Sequence, residues 1–357
     1  MPLGQTSAAP APLPDQPFVV RQSDVVRIGV VGYGYWGPNI VRNFLRQESA
    51  RVVSVCDKSV SSLERLRRDH PAIPATTNYR AMLADDAIDA IAVVTPVWTH
   101  FEIAKAALEN GKHIFVEKPF TSTVEQGEYL IELAERKNLK IMVDHTFLFT
   151  GAVQRIRQLV DEGTLGHLYY YDSTRVNLGL FQHDVNVIWD LAPHDLSIMD
   201  YIIGKQPEAL VATGECHLNG HADVAYLTVY YPDNLIGHIS VNWLSPVKVR
   251  TTLLGGEKKM LVWNDLEADE KLKIYDRGIQ VSGGEAVYQQ LVKYRTGDMW
   301  SPNVEQVEAL KLEASYFVEC IRGDKRPFND GMAGLRVVRM LESADRSLRE
   351  KGRVVTL

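Results

Sequence analysis

The run VRIGVVGYGYWG at residues 26–37 constrains this chain more than any other segment, because an apolar, strand-like stretch delivers Gly32, Gly34 and Gly37 in the spacing G-x-G-x-x-G. Each glycine answers a separate need of a dinucleotide-binding turn. Gly32 permits the sharp exit from a strand, Gly34 puts no Cβ between the backbone and a pyrophosphate, and Gly37 lets the next helix pack close. That helix, expected over 38–47, would direct its free amides and positive dipole end at the phosphates. A second apolar run, RVVSVCD, ends in Asp57, whose carboxylate can accept hydrogen bonds from an adenosine ribose. Tyr35 and Trp36 within the turn, and Lys58 beside the acid, complete the candidate cofactor contacts of this region. A glycine turn without a ligand is the alternative; a kinase glycine loop is excluded, since no V-A-I-K, H-R-D or D-F-G follows.

Strand and helix patterns then alternate. A strand over 89–95 leads to a helix over 98–110 stopped by Gly111, then come the strand KHIFVEKP, a helix over 124–138 and the strand KIMVDH. Units of this length imply parallel strands, whose carboxyl ends form one ligand-binding edge. Along that edge stand Thr95, Pro96, His100, Glu117 and His145, which we take as further cofactor-binding candidates. The expected organisation is α/β throughout: a flexible tail over 1–24, a Rossmann dinucleotide-binding domain over 25–148, and a substrate-binding and oligomerisation domain over 149–357.

Among 357 residues, 45% are hydrophobic and 24% charged, with a net charge of −6, which leaves no basic footprint for nucleic acid. No run of 18 apolar residues argues for a membrane span. Cys56, Cys216 and Cys320 lie far apart and are odd in number, so neither a disulfide framework nor a metal cluster is expected, and a reducing cytoplasm fits.

The second half opens with a helix over 152–161 and the long strand HLYYYDSTRVNLG, followed by β-rich segments DVAYLTVYY, NLIGHISVNWLS and VRTTLLGG and by helices over 304–322 and 331–350. An antiparallel meander is the expectation. Tyr226, Tyr230, Ile239, Val241 and Trp243 give it a mixed aromatic face that favours a partner, as in a homodimer or homotetramer; an intramolecular core of the same residues is the alternative. Arg175, Asn177, His183 and Asn186 are the polar groups placed to meet a polyhydroxylated substrate, unless they are simply solvated loop groups.

Read together, TPVWTH at 95–100, Glu117-Lys118-Pro119 and WDLAPH at 189–194 make the chain resemble the Gfo/Idh/MocA oxidoreductases, named for glucose-fructose oxidoreductase and inositol dehydrogenase. The resemblance covers about residues 25–357, and the glycine turn with these three, four motifs at these separations, is specific where each alone is common. It implies a catalytic group of Lys118, Asp190 and His194, and a second α/β domain built on an open, mainly antiparallel sheet that often mediates oligomers. Three departures stand out. NVIWD replaces a glycine-rich turn before the aspartate, Ser197 stands where many members have an aspartate, with Asp195 next to the histidine instead, and DHTFLFTG lacks the arginine common after the sixth strand.

The residues themselves support acid–base chemistry. Asp190 and His194 are spaced i, i+4 and share a helix face, where the carboxylate can orient the imidazole; a helix cap beside a buried histidine is the alternative. His194 can take a hydroxyl proton while Lys118 stabilises the oxygen and hydride leaves carbon. The expected function is an NAD-dependent sugar dehydrogenase or ketoreductase acting on a secondary hydroxyl of a hexose, nucleotide-linked and at C3. An inositol, cyclitol or free-sugar dehydrogenase is the alternative within enzymes, and an NAD-binding regulator the alternative outside them. Asp57 would repel the 2′-phosphate of NADP, so kcat/KM should be higher with NAD⁺ and Asp57→Ala should narrow the preference. A preference for NADP⁺ that Asp57→Ala leaves unaltered would remove this role.

Overall fold

The opening strands are short and nearly all apolar, as burial on both faces of a parallel sheet demands. The chain runs β1 (Val26–Val31), α1 (Gly37–Leu45), β2 (Ala50–Cys56), α2 (Val60–Asp69), β3 (Ala75–Thr76), α3 (Tyr79–Leu83), β4 (Ala90–Val93), α4 (His100–Glu109), β5 (His113–Glu117), α5 (Val124–Arg136) and β6 (Ile141–Asp144) in the computed structural model, which describes residues 25–179, 184–218, 220–282 and 291–357. The strands form one parallel sheet in the order β3-β2-β1-β4-β5-β6. Ile28, Val30, Ile91, Val93 and Val116 are wholly buried in it. The order reverses between β1 and β4, and the crevice at that reversal is where open α/β sheets bind ligands.

The second half continues as α6 (Gly151–Asp161), β7 (Leu168–Leu178), α7 (Val187–Ile203), β8 (Ala209–Glu215), β9 (Val224–Tyr230), β10 (Ile236–Asn242), β11 (Leu244–Gly256), β12 (Met260–Asn264), β13 (Leu272–Ser282), β14 (Leu291–Trp300), α8 (Ala309–Arg322), α9 (Gly331–Arg349) and β15 (Val355–Thr356). These strands form a second sheet in the order β14-β13-β12-β11-β7-β10-β9-β8-β15. The sheet is mixed, which corrects the expectation of a mainly antiparallel one. After β7 the chain crosses through α7, β8 and β9 before β10 returns alongside β7 in the same direction. The extension through β12, β13 and β14 was not expected from the sequence, and the helix expected from 304 begins at Ala309.

Strand pleat divides the five residues assigned to a partner face. Ile239, Val241 and Trp243 are fully buried in the chain's own core, where α7 and α9 cover the sheet, whereas Tyr226 and Tyr230 stand exposed on the opposite face. Side chains alternate along a strand, so one apolar run cannot serve one face.

The last helices return to the first sheet. Val143 donates its amide to the carbonyl of Asn329 at 2.9 Å, and the Asn329 side chain donates back to the Val143 carbonyl at 2.8 Å. Glu308, at the start of α8, pairs with Arg42 of α1 and with Arg46, which caps that helix. The C-terminal helices therefore belong structurally to both units.

The glycine turn yields a test. Gly32 sits at φ +106°, and a Cβ there would lie 2.0 Å from the Val94 carbonyl oxygen, while one on Gly34 would meet nothing within 4 Å. Gly32→Ala should cost more than about 1 kcal/mol of stability in a urea titration. Gly34→Ala should leave the unfolding midpoint in place yet weaken NADH binding, and an unchanged NADH affinity would contradict the assignment of that open flank to a ligand.

Candidate active site

The open flank of Gly34 is part of a held loop. From α2, Arg65 donates to the carbonyl of Gly34 at 2.7 Å and lies over the Tyr33 ring at 5.1 Å, so it ties the turn to α2. Asp57 ties the same turn: its Oδ2 accepts from the Tyr33 amide at 2.6 Å and its Oδ1 from the Ser59 amide at 2.7 Å. A carboxylate oxygen has more than one lone pair, which leaves capacity for ribose hydroxyls. Lys58, Tyr35 and Trp36 are exposed around it, with the two aromatic rings edge to face at 5.5 Å. This cradle suits a dinucleotide: an unobstructed backbone, the start of α1 and an acid at the end of β2.

At the next strand end, Thr95 is half-buried and Pro96 exposed. His100 is not available to a ligand. Its ring is fully buried, with Nε2 2.7 Å from the Thr95 carbonyl and Nδ1 2.9 Å from the Pro119 carbonyl. Both partners are acceptors, so a neutral ring donates to one of them. His100 thus staples the segment after β4 to the segment after β5, and we reassign it from cofactor contact to support of the Lys118 loop.

Beneath that loop lies a cluster of buried acids. Glu117 and Asp144 end β5 and β6 as register partners, and Glu313 of α8 is buried against them. Burial and the charge of Asp144 push Glu117 up to about 8, in spite of the neighbouring Lys118. Burial and Asp144 likewise hold Glu313 well above the usual carboxylate range, while Asn329 donates to its Oε1 at 3.1 Å. Glu117 is therefore a buried support whose neutral form is favoured by its surroundings. His145 is buried too, pushed down to about 3 by burial and Lys118, and neither of its ring nitrogens has a hydrogen-bond partner among the described residues.

Above this layer the two halves of the chain meet. Lys118 extends from the end of β5 and donates to the main-chain carbonyl of Asp190 at 2.9 Å, with its ammonium 3.8 Å from Asp190 Oδ1. Asp190 lies in the first turn of α7, whose cap is Asn186: the Asn186 side-chain oxygen accepts from the amides of Ile188 and Trp189, and its amide donates to Asp345 at 2.8 Å. Asn186 is thus engaged in anchoring the helix, and its role as a substrate contact is corrected accordingly.

The i, i+4 spacing does not join Asp190 to His194. Asp190 Oδ2 accepts from the Trp243 indole at 3.0 Å, so the carboxylate is turned to Trp243 and Lys118. His194 packs instead on Phe147, ring centroids 4.9 Å apart, and its Nδ1 is buried with no partner among the described residues. Burial and the nearby charges of Lys118, Arg175 and Arg250 hold its pKa well below the usual histidine value. The ring is neutral at neutral pH, the form that can accept a proton.

Arg175 is also corrected. It is buried, donates through Nε to Asp195 at 2.5 Å and stacks over Phe147 at 4.5 Å, so it is no exposed contact for a polyhydroxylated substrate. The charge of Asp195, the unusual neighbour of His194, explains that burial. Arg250, paired with Arg175 across β7 and β11, is the more accessible cation and lies 5.6 Å from the same ring. Asn177 is half-buried at the end of β7, and His183 lies outside the described residues. Phe147, Trp243, Arg250 and Glu313 were missed, since nothing in a strand or helix pattern distinguishes them from core or surface. Among the described residues no cluster of His, Cys, Asp and Glu could hold a metal ion.

A nucleotide-binding parallel sheet joined to a mixed sheet, with a lysine and a helical Asp/His pair at the junction, defines a dinucleotide-dependent oxidoreductase. Residues 26–145 match the oxidoreductase family with an NAD-binding Rossmann fold, and residues 153–262 match the GFO/IDH/MocA C-terminal domain. The chain belongs to the Gfo/Idh/MocA oxidoreductase family. It is 27% identical over 326 residues to the UDP-N-acetylglucosamine 3-dehydrogenase of Acidithiobacillus ferrooxidans, covering 88% of this chain and 94% of that one. It is 24% identical over 316 residues to the NAD⁺-dependent scyllo-inositol 2-dehydrogenase of Bacillus subtilis, covering 85% and 88%. In fold it is similar to a solved levoglucosan dehydrogenase in complex with NADH and L-sorbose, with a TM-score of 0.78, 17% identity and coverage of 93% and 99%.

The neutral His194 predicts a specific phenotype. His194→Ala should lower kcat by roughly 10²–10⁴ with NADH affinity nearly intact. Because its pKa is lowered, the acid limb of kcat/KM should lie below the ordinary histidine value of 6.5, since the ring stays unprotonated until the pH falls further. Equal losses of cofactor binding and thermal stability would point to a packing role instead.

Proposed function

We propose that this chain is a cytoplasmic NAD-dependent dehydrogenase or ketoreductase that moves hydride between nicotinamide and a secondary hydroxyl or ketone of a hexose, with a nucleotide-linked sugar oxidised or reduced at C3 as the preferred substrate. The observation that carries this reading is the junction of Lys118, Asp190 and His194 beside the dinucleotide crevice. The similarity over nearly the whole chain to a UDP-N-acetylglucosamine 3-dehydrogenase supports the choice of sugar and carbon.

In the oxidative direction the neutral imidazole of His194 accepts the hydroxyl proton. The ammonium of Lys118, steadied by the Asp190 carbonyl, hydrogen-bonds the same oxygen and offsets its developing negative charge. The cofactor, when bound along Gly32, Gly34, Tyr35, Trp36, Gly37 and Asp57, supplies the hydride acceptor at the carbon end of the reaction. Asp57 favours NAD over NADP through its charge. The ring of Phe147 covers one side of His194, whose Nδ1 is buried.

The exposed sheet face bearing Tyr226 and Tyr230 is the surface we assign to a homodimer or homotetramer contact. No helix among the described residues is long and apolar enough to cross a membrane.

The similarity to a scyllo-inositol 2-dehydrogenase supports a cyclitol as the second reading. A panel of UDP- and dTDP-hexoses, free hexoses and inositols, read at 340 nm with NAD⁺, separates the two. The proposal expects kcat/KM at least tenfold higher for a nucleotide-linked hexose than for the free sugar or inositol. Efficient oxidation of inositol with no preference for a nucleotide would favour the cyclitol. NADH binding with no turnover of any member would favour a regulator.

A further inference from the structure

Lys118 fixes the main-chain carbonyl of Asp190, but its carboxylate is set from elsewhere. Trp243 lies between the end of β10 and the start of β11, and its side chain is fully buried. Its backbone is held on both sides: the amide donates to the Asp223 carbonyl at 2.9 Å and the carbonyl accepts from the Gly179 amide at 3.2 Å. Gly179 lies so near the ring that a Cβ there would come within 2.8 Å of the indole Cδ1. The indole is thereby confined to one orientation, and in that orientation its N–H donates to Asp190 Oδ2 at 3.0 Å.

An indole N–H is a donor only, so a buried one needs an acceptor, while a carboxylate is an acceptor only. The pairing therefore satisfies both partners. It leaves Asp190 Oδ1 facing the Lys118 ammonium at 3.8 Å. The geometry points to Trp243 as a positioning residue for the redox reaction: its N–H selects the Asp190 rotamer that keeps Lys118 aimed at the reacting oxygen. Without that bond the carboxylate is free to turn about its side-chain torsions, and the four-carbon stem of Lys118 loses one of its two restraints. The role rests on the reading of Lys118 and Asp190 as part of the active site.

Trp243→Phe keeps an aromatic ring in the slot and deletes the N–H. It should lower kcat roughly 10-fold to 100-fold, the scale of a misplaced catalytic group, while KM for the sugar, the Kd of NADH and the unfolding midpoint stay close to wild type. Combined with Asp190→Ala it should lower kcat no further than Asp190→Ala alone, because both remove one linkage. A second measurement needs no turnover. In the ¹⁵N-labelled protein the indole N–H resonance missing from Trp243→Phe should move upfield in Asp190→Ala, as a charge-assisted hydrogen bond is lost. Unchanged kcat in Trp243→Phe, losses that add in the double variant, or a loss of kcat that only tracks lost NADH binding and stability would overturn the role. So would an indole resonance indifferent to Asp190. If the wild-type protein oxidised no sugar, the functional reading would fail on its own, and the resonance would still decide whether Trp243 holds Asp190.

Discussion

The ammonium of Lys118 passes from the end of β5 to the first turn of α7, and this bond joins the nucleotide-binding sheet to the helix that carries Asp190 and His194. Much of the surrounding structure keeps its two ends in place. His100 holds the Pro119 carbonyl to Thr95, so the strand end that launches Lys118 cannot drift from its neighbour. Asn186 and Trp189 bind Asp345 of α9, which fixes the start of α7. The C-terminal helices close the arrangement by packing on the first sheet through Asn329, Glu308 and Glu313.

The electrostatics are layered in the same way. Below Lys118 lie acids that burial holds above the usual carboxylate range, and they support the loop from beneath. Around His194 the charges are positive, and each arginine is tied to an aspartate: Arg175 to Asp195 and Arg250 to Asp265. A neutral imidazole between cations is a weak base at rest, but the same cations favour an alkoxide-like oxygen next to it. In the reaction we propose, the arrangement trades basicity of His194 for stabilisation of the oxygen that loses its proton.

The parallel sheet was legible because glycine spacing, continuous apolar strands and strand-end polar residues each have one physical explanation. The motifs singled out Lys118, Asp190 and His194, and the structure brings Lys118 to Asp190 on the helix that also carries His194. Their division of labour was not legible. Spacing along α7 suggested that Asp190 orients His194, whereas its carboxylate partner is Trp243, 53 positions further along the chain. Arg175 read as a substrate contact because a strand sequence does not reveal that Asp195 lies opposite it. The parallel pairing of β7 with β10, and the faces of Ile239, Val241 and Trp243, depend on long-range register that local patterning does not contain.

The central claim is that this junction passes hydride directly between a sugar carbon and nicotinamide. A nucleotide-linked hexose carrying deuterium at C3, incubated with the enzyme and NAD⁺, tests it by mass spectrometry of the cofactor. The account predicts that the deuterium moves to the nicotinamide ring and that the sugar becomes the 3-keto form. Reduced cofactor without label, or a sugar oxidised with its C3 deuterium retained, would contradict it.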